Sequence, residues 1–356
     1  MKLLYITEYF PSTTQVNIQG GVESRTYYLA IDLAKRHKVT VLASWEQAKP
    51  SYQKLDGVDV WRIGPKRPYI ASLGKLIHRI LFMFSAIRHG IRVDFDIVEG
   101  TGYLGWLPAR IVSSFKGKAG VLWVPDFVDS YTGKYSFFLN TILILIQRLL
   151  ITGNISLVCI SHEVKRKLLT YGITPRKIYI IYCGVDTEYI RKIKVKKKSF
   201  PVICVVSRLV PYKRVDETIL AVSSLAKEVP ELKLEIIGSG EERHKLKKLI
   251  NDLGLLNNVQ IRGFLPRHRD VLRFIKSSWV YCQPSVIEGF GIALVEALAA
   301  GVPAVISDIP VHREITQNRG VLYYQPGSVA RLTQQLKHIL TNKTLYRKLS
   351  RQAVTI

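Results

Sequence analysis

The chain has 356 residues, which at about 150 residues per domain predicts two domains rather than one. A hydrophobic fraction of 47% and a charged fraction of 22% are those of a folded globular protein, and they exclude collagen-like and disordered classes. The net charge is +25, with 24 basic and 14 acidic side chains in residues 1–190 and 28 and 13 in residues 191–356. Both halves should therefore attract anions such as phosphate groups, acidic lipids or nucleic acid.

Three further features of the composition bear on the cellular compartment. The four cysteines are far apart and form no Cys-x-x-Cys pair, so we expect neither a zinc site nor a disulfide framework, and a reducing compartment fits best. The N-terminal MKLLYITEYF is too short for the apolar core of a signal peptide and predicts a first strand. The most apolar stretch, residues 137–151, is shorter than the roughly 20 residues of a membrane span, so no transmembrane helix is expected.

Short β-branched runs alternate with segments of helical period along the whole chain. The first half contains KLLYIT, HKVTVLAS, VDVWRI, DFDIVEG, AGVLWVPD and ISLVCIS, and the second contains PVICVVSR, LKLEIIG, NVQIRGF, WVYCQPS and VPAVISD. Strands separated by helices predict parallel sheets with crossover helices. We therefore predict an α/β protein with a Rossmann-like lobe over 1–190, a basic linker over 191–199 and a second Rossmann-like lobe over 200–356. Ligands of such sheets bind at the carboxyl ends of the strands, which predicts a cleft between the lobes.

A glycine pair stands before the first predicted helix. The sequence Gln19-Gly20-Gly21-Val22-Glu23 lies between a loop and ESRTYYLAIDLAKR, which has helical period. Glycines that open a helix make an amide nest suited to an anion. A lone Gly-Gly pair is a weak signal, so the motif alone does not establish a phosphate site.

The segment 72–92 predicts an amphipathic helix. At 100° per residue its large aliphatic side chains share one face, which we expect to pack in the core, and its basic side chains share the other. Phe82 projects from the middle of the basic face in this projection. We hypothesise that Arg79 and Phe82 contact an anionic membrane surface. An ordinary surface helix with one exposed aromatic residue is the alternative.

Basic residues and glycines follow two strands of the second half. In VVSRLVPYKRVD, Arg208 ends a predicted strand and Lys213 comes five residues later, so that a guanidinium and an ammonium could converge on a diphosphate. Either one alone is more often a surface cation. After LKLEII, Gly238-Ser239-Gly240 either brings the backbone close to a ligand or merely turns the chain.

The most informative stretch is PSVIEGFGIALVEALAAGVPAVI, residues 284–306. A turn, Glu288-Gly289-Phe290-Gly291, follows a buried strand and precedes a helix that ends at a glycine. The glycines and the helix N-terminus suit a phosphate, and Glu288 and Glu296 can accept hydrogen bonds from sugar and ribose hydroxyls. The alternative is an ordinary capped helix with Glu296 facing solvent.

Together these elements resemble the retaining glycosyltransferases of family 4, which have the two-lobed GT-B fold and use nucleotide-sugar donors. The resemblance covers nearly the whole chain and rests on GGVE, SRLVPYKRVD, GSGEE, RGFL and, above all, EGFGIALVE followed by ALAAGVPAV. It implies that Arg208 and Lys213 bind the donor diphosphate, that Glu296 binds the ribose and that Glu288 acts at the donor sugar. The other donor-site residues that it implies are Gly20, Gly21, Gly240, Gly263, Phe264, Leu265, Gly289, Phe290 and Gly291. No tightly bound metal and no separate cofactor are implied.

Two departures from the family pattern concern catalysis. Family members often place a histidine after the strand AGVLW, whereas this chain has Val124-Pro125-Asp126, so Asp126 is the candidate for that position. Relatives usually end in a helix that crosses back to the first lobe, but this chain stops at LYRKLSRQAVTI, and we interpret its end as shortened.

The leading hypothesis is a cytoplasmic, membrane-peripheral enzyme that moves a sugar with retention of configuration. Its expected donor is a UDP- or GDP-sugar, and its expected acceptor is a lipid-linked or other saccharide. Two alternatives remain: a soluble enzyme acting on a small sugar or sugar phosphate, and a nucleotide-sugar-binding protein without turnover. Nucleic-acid binding is not expected, because the cationic groups are dispersed and no recognition motif accompanies them.

Overall fold

The computed structural model describes residues 1–12, 20–46, 49–67, 76–127 and 137–355. The chain divides into two compact units, residues 1–182 and 183–356. Each unit contains one sheet built mainly from parallel strands, with helices in the connections. The predicted α/β class with two Rossmann-like units is confirmed.

The first unit contains an eight-stranded sheet. Its strands are β1 Lys2–Thr7, β2 Lys38–Glu46, β3 Tyr52–Leu55, β4 Val58–Arg67, β5 Ile97–Thr101, β6 Ala119–Val124, β7 Ser156–Cys159 and β8 Ile178–Ile180. The helices are α1 Gly21–Ala34, α2 Leu76–Arg92, α3 Gly102–Lys116, α4 Phe137–Ile151 and α5 His162–Thr170. The strand order is β3-β4-β2-β1-β5-β6-β7-β8, and β3 is antiparallel to β4. The order reverses between β1 and β5, which is where ligands bind in sheets of this kind.

The second unit contains a six-stranded parallel sheet. Its strands are β9 Val202–Val206, β10 Lys233–Ile237, β11 Val259–Gly263, β12 Val280–Gln283, β13 Ala304–Ser307 and β14 Val321–Tyr324. The helices are α6 Thr187–Lys192, α7 Val215–Leu225, α8 Arg243–Asp252, α9 His268–Ser277, α10 Ile292–Ala299, α11 Pro310–Thr316, α12 Val329–Thr341 and α13 Lys343–Ala353. The order β11-β10-β9-β12-β13-β14 reverses between β9 and β12. The crevice beside these two strands is therefore the expected ligand site.

Burial of the β-branched central strands and close packing of helices against them stabilise each sheet. The central strands of both units are almost fully buried, which explains why they read as continuous apolar runs rather than as alternating patterns. In the first unit α3 packs directly on the sheet, because a Cβ on Gly105 would lie 2.2 Å from the carbonyl oxygen of Ile6. Only glycine permits this approach of helix to strand.

The boundary between the units differs from the predicted one. The second unit begins at Cys183, and the basic run predicted as a free linker is packed on that unit. Ile190 and Ile193 are buried beside Leu272, and the Lys197 ammonium donates to the carbonyl of Ser278 at 2.7 Å. The buried Ile193 of the run packs against Leu272 of α9, and the charge pattern did not reveal this.

The orientation of α2 corrects the sequence-based prediction. Phe82 is only 1% exposed and lies inside the first unit, so the expected exposed aromatic residue on a basic face was wrong. The buried positions Phe82, Ala86 and Gly90 repeat every four residues. The small residues let the helix approach its neighbours closely, and a Cβ on Gly90 would meet Val112 of α3 at 2.8 Å.

Arg79 is also not a free membrane contact, because its guanidinium donates to the carboxylate of Glu8 at 3.2 Å. The face of α2 that was expected to be core is the exposed one, with Leu76, Ile77, Ile80, Leu81 and Phe84 all open to solvent. Residues 72–75, the start of the predicted helix, lie outside the described residues. Over the ranges given above, none of the helices has both the length and the apolar character needed to cross a bilayer.

The burial of α2 makes a direct prediction about stability. Phe82→Ala should lower the free energy of unfolding by about 3–5 kcal/mol, because it leaves a cavity between the helix and the sheet. The matched substitution Phe84→Ala, at a side chain that is 66% exposed, should change it by no more than about 0.5 kcal/mol. Urea denaturation of both variants measures the difference. Equal effects of the two substitutions would contradict the observed orientation.

Candidate functional site

Two loops meet at the reversal point of the second sheet. The first follows β9 and carries Arg208 and Lys213, and the second follows β12 and carries Glu288. Because β9 and β12 are paired in register, their carboxyl ends lie side by side. The amide of Val286 donates to the carbonyl of Tyr212 at 2.9 Å and joins the two loops directly.

A buried ion pair closes this junction. The Lys213 ammonium donates to the Glu288 carboxylate at 2.5 Å, with side chains that are 13% and 9% exposed. Burial alone would raise the pKa of Glu288, but attraction to Lys213 and hydrogen bonds to the carboxylate outweigh it, and the pKa is held below its ordinary value. Glu288 is therefore a carboxylate at neutral pH, able to accept hydrogen bonds.

Lys213 and Arg208 both approach the ring of Tyr212. The Arg208 guanidinium donates to the Tyr212 hydroxyl at 2.6 Å, and the Lys213 ammonium lies 5.6 Å from the ring centroid. The loop thus presents two cations on one aromatic residue, a pairing suited to a diphosphate. Arg208 and Lys213 both lie at Tyr212, whose part was missed, and their binding of a diphosphate stays a prediction.

The loop Glu288–Gly291 leads directly into α10. Gly291 is the residue before the helix and has φ +91°, where a side chain would be strained, and an added Cβ would lie 2.8 Å from the Gln283 amide nitrogen. Gly289 and Phe290 complete the turn, with the Phe290 ring buried. The N-terminal amides of α10 and its dipole favour an anion at this end.

Glu296 is buried in α10 and does not face solvent. Its carboxylate lies 2.7 Å from Nε2 of His268, the first residue of α9. The alternative of a solvent-facing glutamate is therefore wrong. His268 stands in the run RHRD, which has no distinguishing pattern, so sequence reasoning could not single it out.

The other predicted donor-site residues of this unit lie at the ends of β10 and β11. A Cβ on Gly240 would lie 2.2 Å from the carbonyl oxygen of Leu209, so packing within the unit already accounts for this glycine. Gly263 has φ +80° in open space, and Phe264 is exposed beside the half-buried Leu265. That these residues border the base stays a prediction.

The first unit carries the remaining predicted site residues. Gly20 and Gly21 are exposed at the start of α1. Asp126 follows β6, and its carboxylate accepts a hydrogen bond from the Tyr103 hydroxyl at 2.9 Å. Gln19 lies outside the described residues.

A buried ion pair that the sequence did not indicate also belongs to this unit. Arg25 of α1 contacts Glu99 of β5 and stacks on Trp123, with its guanidinium carbon 4.8 Å from the ring centroid. These contacts fix α1, and with it the glycine pair, against the sheet. For metals, the described part of the chain contains no cluster of three or more His, Cys, Asp or Glu side chains that could hold an ion.

Two protein families match the two units. The family described as Glycosyltransferase Family 4 matches residues 19–189, and Glycosyl transferases group 1 matches residues 186–355. The poly(glycerol-phosphate) alpha-glucosyltransferase of Bacillus subtilis is 31% identical over 42% of this chain and 22% of its own length. An uncharacterized glycosyltransferase of Methanocaldococcus jannaschii is 26% identical over 93% of this chain and 87% of its own.

The matched stretches span between 22% and 48% of the length of the first three curated relatives. Among solved structures, Anabaena HepE in complex with UDP and glucose superposes with a TM-score of 0.76 at 18% identity, over 100% of this chain and 94% of that one. The two family matches together run from residue 19 to residue 355, and the fold agrees with them. The chain therefore belongs to the glycosyltransferases of family 4 and has the GT-B fold.

Proposed function

We propose that the protein transfers a sugar from a nucleoside-diphosphate sugar to a saccharide acceptor with retention of anomeric configuration. The observation that carries the proposal is the Lys213–Glu288 pair at the start of α10, within the match to the group 1 glycosyl transferases. Lys213 supplies a cation for the donor diphosphate. Glu288 supplies an ionised carboxylate that can accept hydrogen bonds from the donor sugar.

In the proposed reaction the donor diphosphate takes the place of Glu288 as the partner of Lys213. The bond between the anomeric carbon and the diphosphate oxygen breaks, and the electron pair leaves with the diphosphate. Lys213, Arg208 and the amides of Gly289–Gly291 stabilise this charge, so the proposal requires no metal ion. The acceptor hydroxyl oxygen bonds to the anomeric carbon, and its proton passes to the departing diphosphate oxygen.

The remaining roles follow the family resemblance. Glu288 acts at the donor sugar and Glu296 at the ribose, while Gly263, Phe264 and Leu265 border the base. Gly20 and Gly21 cover the phosphates, the backbone at Gly240 approaches the donor, and Asp126 acts near the reacting sugar. The UDP in the HepE complex favours a uridine donor over a guanosine donor.

An anionic membrane surface is the proposed location of the acceptor. In the first unit α3 packs against α2 and α4, and none of the three helices contains an Asp or Glu, although they carry five arginines and one lysine. Large apolar side chains stand exposed on them: Leu76, Ile77, Ile80, Leu81, Phe84, Ile111, Phe115, Ile142, Leu145, Ile146 and Leu149.

Exposed apolar side chains on helices without acidic residues are complementary to an acidic bilayer surface. The apolar groups enter the interface, and the cations other than Arg79, which pairs with Glu8, meet headgroups. This placement supports a lipid-linked saccharide as acceptor. Full activity without lipid would instead indicate a soluble enzyme acting on a small sugar. Donor binding without product would indicate a binding protein without turnover.

The donor-site assignment predicts distinct kinetic effects. With UDP-glucose, UDP-N-acetylglucosamine and GDP-mannose as trial donors, Lys213→Met and Glu296→Ala should raise the donor Kd about 10- to 100-fold, since each removes a charged hydrogen-bonding group. Glu288→Gln should mainly lower kcat. Lys245→Met is the control, because that lysine pairs with Glu242 at an exposed position of α8. Unchanged donor binding by Lys213→Met would contradict the placement of the diphosphate.

The membrane assignment predicts binding to vesicles that contain phosphatidylglycerol and weak binding to pure phosphatidylcholine. Leu145→Gln with Leu149→Gln should lower the partition coefficient about tenfold or more, because less apolar surface is removed from water. Leu256→Gln is the control, since Leu256 of the second unit and Leu149 are equally exposed, at 70%. Vesicle flotation measures this. Unchanged vesicle binding by the double variant would contradict the membrane assignment. So would a wild-type protein that is a dimer in solution and a double variant that is a monomer, because the apolar face would then be a dimer interface.

A further inference from the structure

A chain of buried polar groups runs beneath the Glu288 loop. Glu288 accepts a hydrogen bond from Nε2 of Gln283 at 3.0 Å, in addition to the one from Lys213. Gln283 ends β12, and its Oε1 lies 2.9 Å from the Tyr281 hydroxyl, two residues earlier on the same face of the strand. Burial raises the pKa of Tyr281 well above its ordinary value, so the phenol keeps its proton and donates.

The other end of the chain is a fully buried histidine. His312 of α11 is 0% exposed, and its Nε2 lies 3.0 Å from Nε2 of Gln283. Its Nδ1 lies 2.8 Å from the carbonyl oxygen of Ser307, at the end of β13. A carbonyl oxygen only accepts, so the ring proton belongs on Nδ1, and Nε2 is left with a lone pair that accepts from the Gln283 amide.

These contacts fix the orientation of the Gln283 amide. Its oxygen accepts from Tyr281, and its two N–H bonds point at Glu288 and at His312. Turning the amide over would set its oxygen against the Glu288 carboxylate and its N–H₂ group against the Tyr281 hydroxyl. A protonated His312 would set an N–H against the same amide N–H₂ group. Burial lowers the pKa of His312, in agreement with the neutral ring.

We propose that Tyr281, Gln283 and His312 are positioning residues that hold the Glu288 carboxylate in place when Lys213 turns to the donor diphosphate. The inference rests on the proposed function and deepens it. Glu288 has a partner on each side, and only Lys213 is needed by the diphosphate. The Gln283 N–H then remains bound to the carboxylate, so Glu288 does not follow the ammonium and stays directed at the sugar. The chain acts through Glu288 and does not touch the substrate.

A matched pair of substitutions separates this role from simple packing. In His312→Asn the amide nitrogen takes the position of Nδ1 and keeps the bond to Ser307, but no atom remains to accept from Gln283. In His312→Gln the side-chain oxygen reaches the position of Nε2 and restores that acceptor. We expect His312→Asn and Gln283→Leu to lower kcat about 10- to 100-fold with little change in donor KM, and His312→Gln to stay within about threefold of the wild type.

The kinetic measurement uses the full chain with whichever of UDP-glucose, UDP-N-acetylglucosamine or GDP-mannose the wild type turns over. The proposal is overturned if His312→Asn and Gln283→Leu keep the wild-type kcat. It is also overturned if His312→Gln loses more than His312→Asn, because the Ser307 contact alone would then matter. A wild type without turnover on any donor would count against the proposed function and not against the hydrogen-bond chain.

A second measurement decides on the chain independently of activity. In histidine-labelled protein, the ¹⁵N shifts of His312, assigned by their loss in His312→Asn, should report the neutral Nδ1–H form. That form should persist as the pH falls through about 6.5, where an ordinary histidine gains its proton. A proton on Nε2, or titration of His312 at the ordinary pH, would overturn the inference even in an active enzyme.

Discussion

The buried contact between Lys213 and Glu288 is the interaction on which the site depends. Removing either partner would leave an uncompensated charge in an interior that solvates it poorly, so the two loops that carry them are bound to one position. The hydrogen bond from the Val286 amide to the Tyr212 carbonyl also joins these two loops, and it involves no charged group. The site is therefore organised before any ligand arrives, and a donor has to exchange one charge partner for another rather than order a loop.

Sheet topology explains why this contact can form. The order of the second sheet reverses between β9 and β12, the position at which sheets of this kind bind ligands beyond the carboxyl ends of their strands, and the loops after these two strands meet there. The start of α10 and the cations after β9 both lie beyond the carboxyl ends of these two strands. In the first unit the reversal between β1 and β5 similarly places the glycine pair and Tyr103 after neighbouring strands. Each unit thus carries candidate ligand-binding residues at the point where the strand order of its own sheet reverses.

Much of the fold could be predicted because buried parallel strands have a distinctive composition. All eleven quoted β-branched runs coincide with strands, and the residues of the Glu288–Glu296 motif lie around α10 as their spacing indicates. The strands β3, β8 and β14 were missed. Each stands at an edge of its sheet and has exposed or half-buried residues, whereas the equally short β7, β12 and β13 are mostly buried and apolar.

What could not be predicted depends on contacts between distant segments. A helical projection shows which residues of α2 share a face, but not which face the sheet covers, and Phe82 lies inside because Ala86 and Gly90 permit close packing. His268, Gln283 and His312 carry no local pattern. The arrangement of strands and helices brings His268 to Glu296 and Gln283 to Glu288, and it brings His312 to Gln283. Long-range polar partners are invisible to spacing arguments.

The central claim is that the crevice after β9 and β12 binds a nucleoside diphosphate through Lys213 in exchange for Glu288. The most direct measurement is thermal denaturation of the wild-type chain with UDP, GDP and ADP at increasing concentration. A ligand that binds only the folded state raises the melting temperature with the logarithm of its concentration. We expect such a rise for one nucleotide above the others. No rise with any of the three would contradict it.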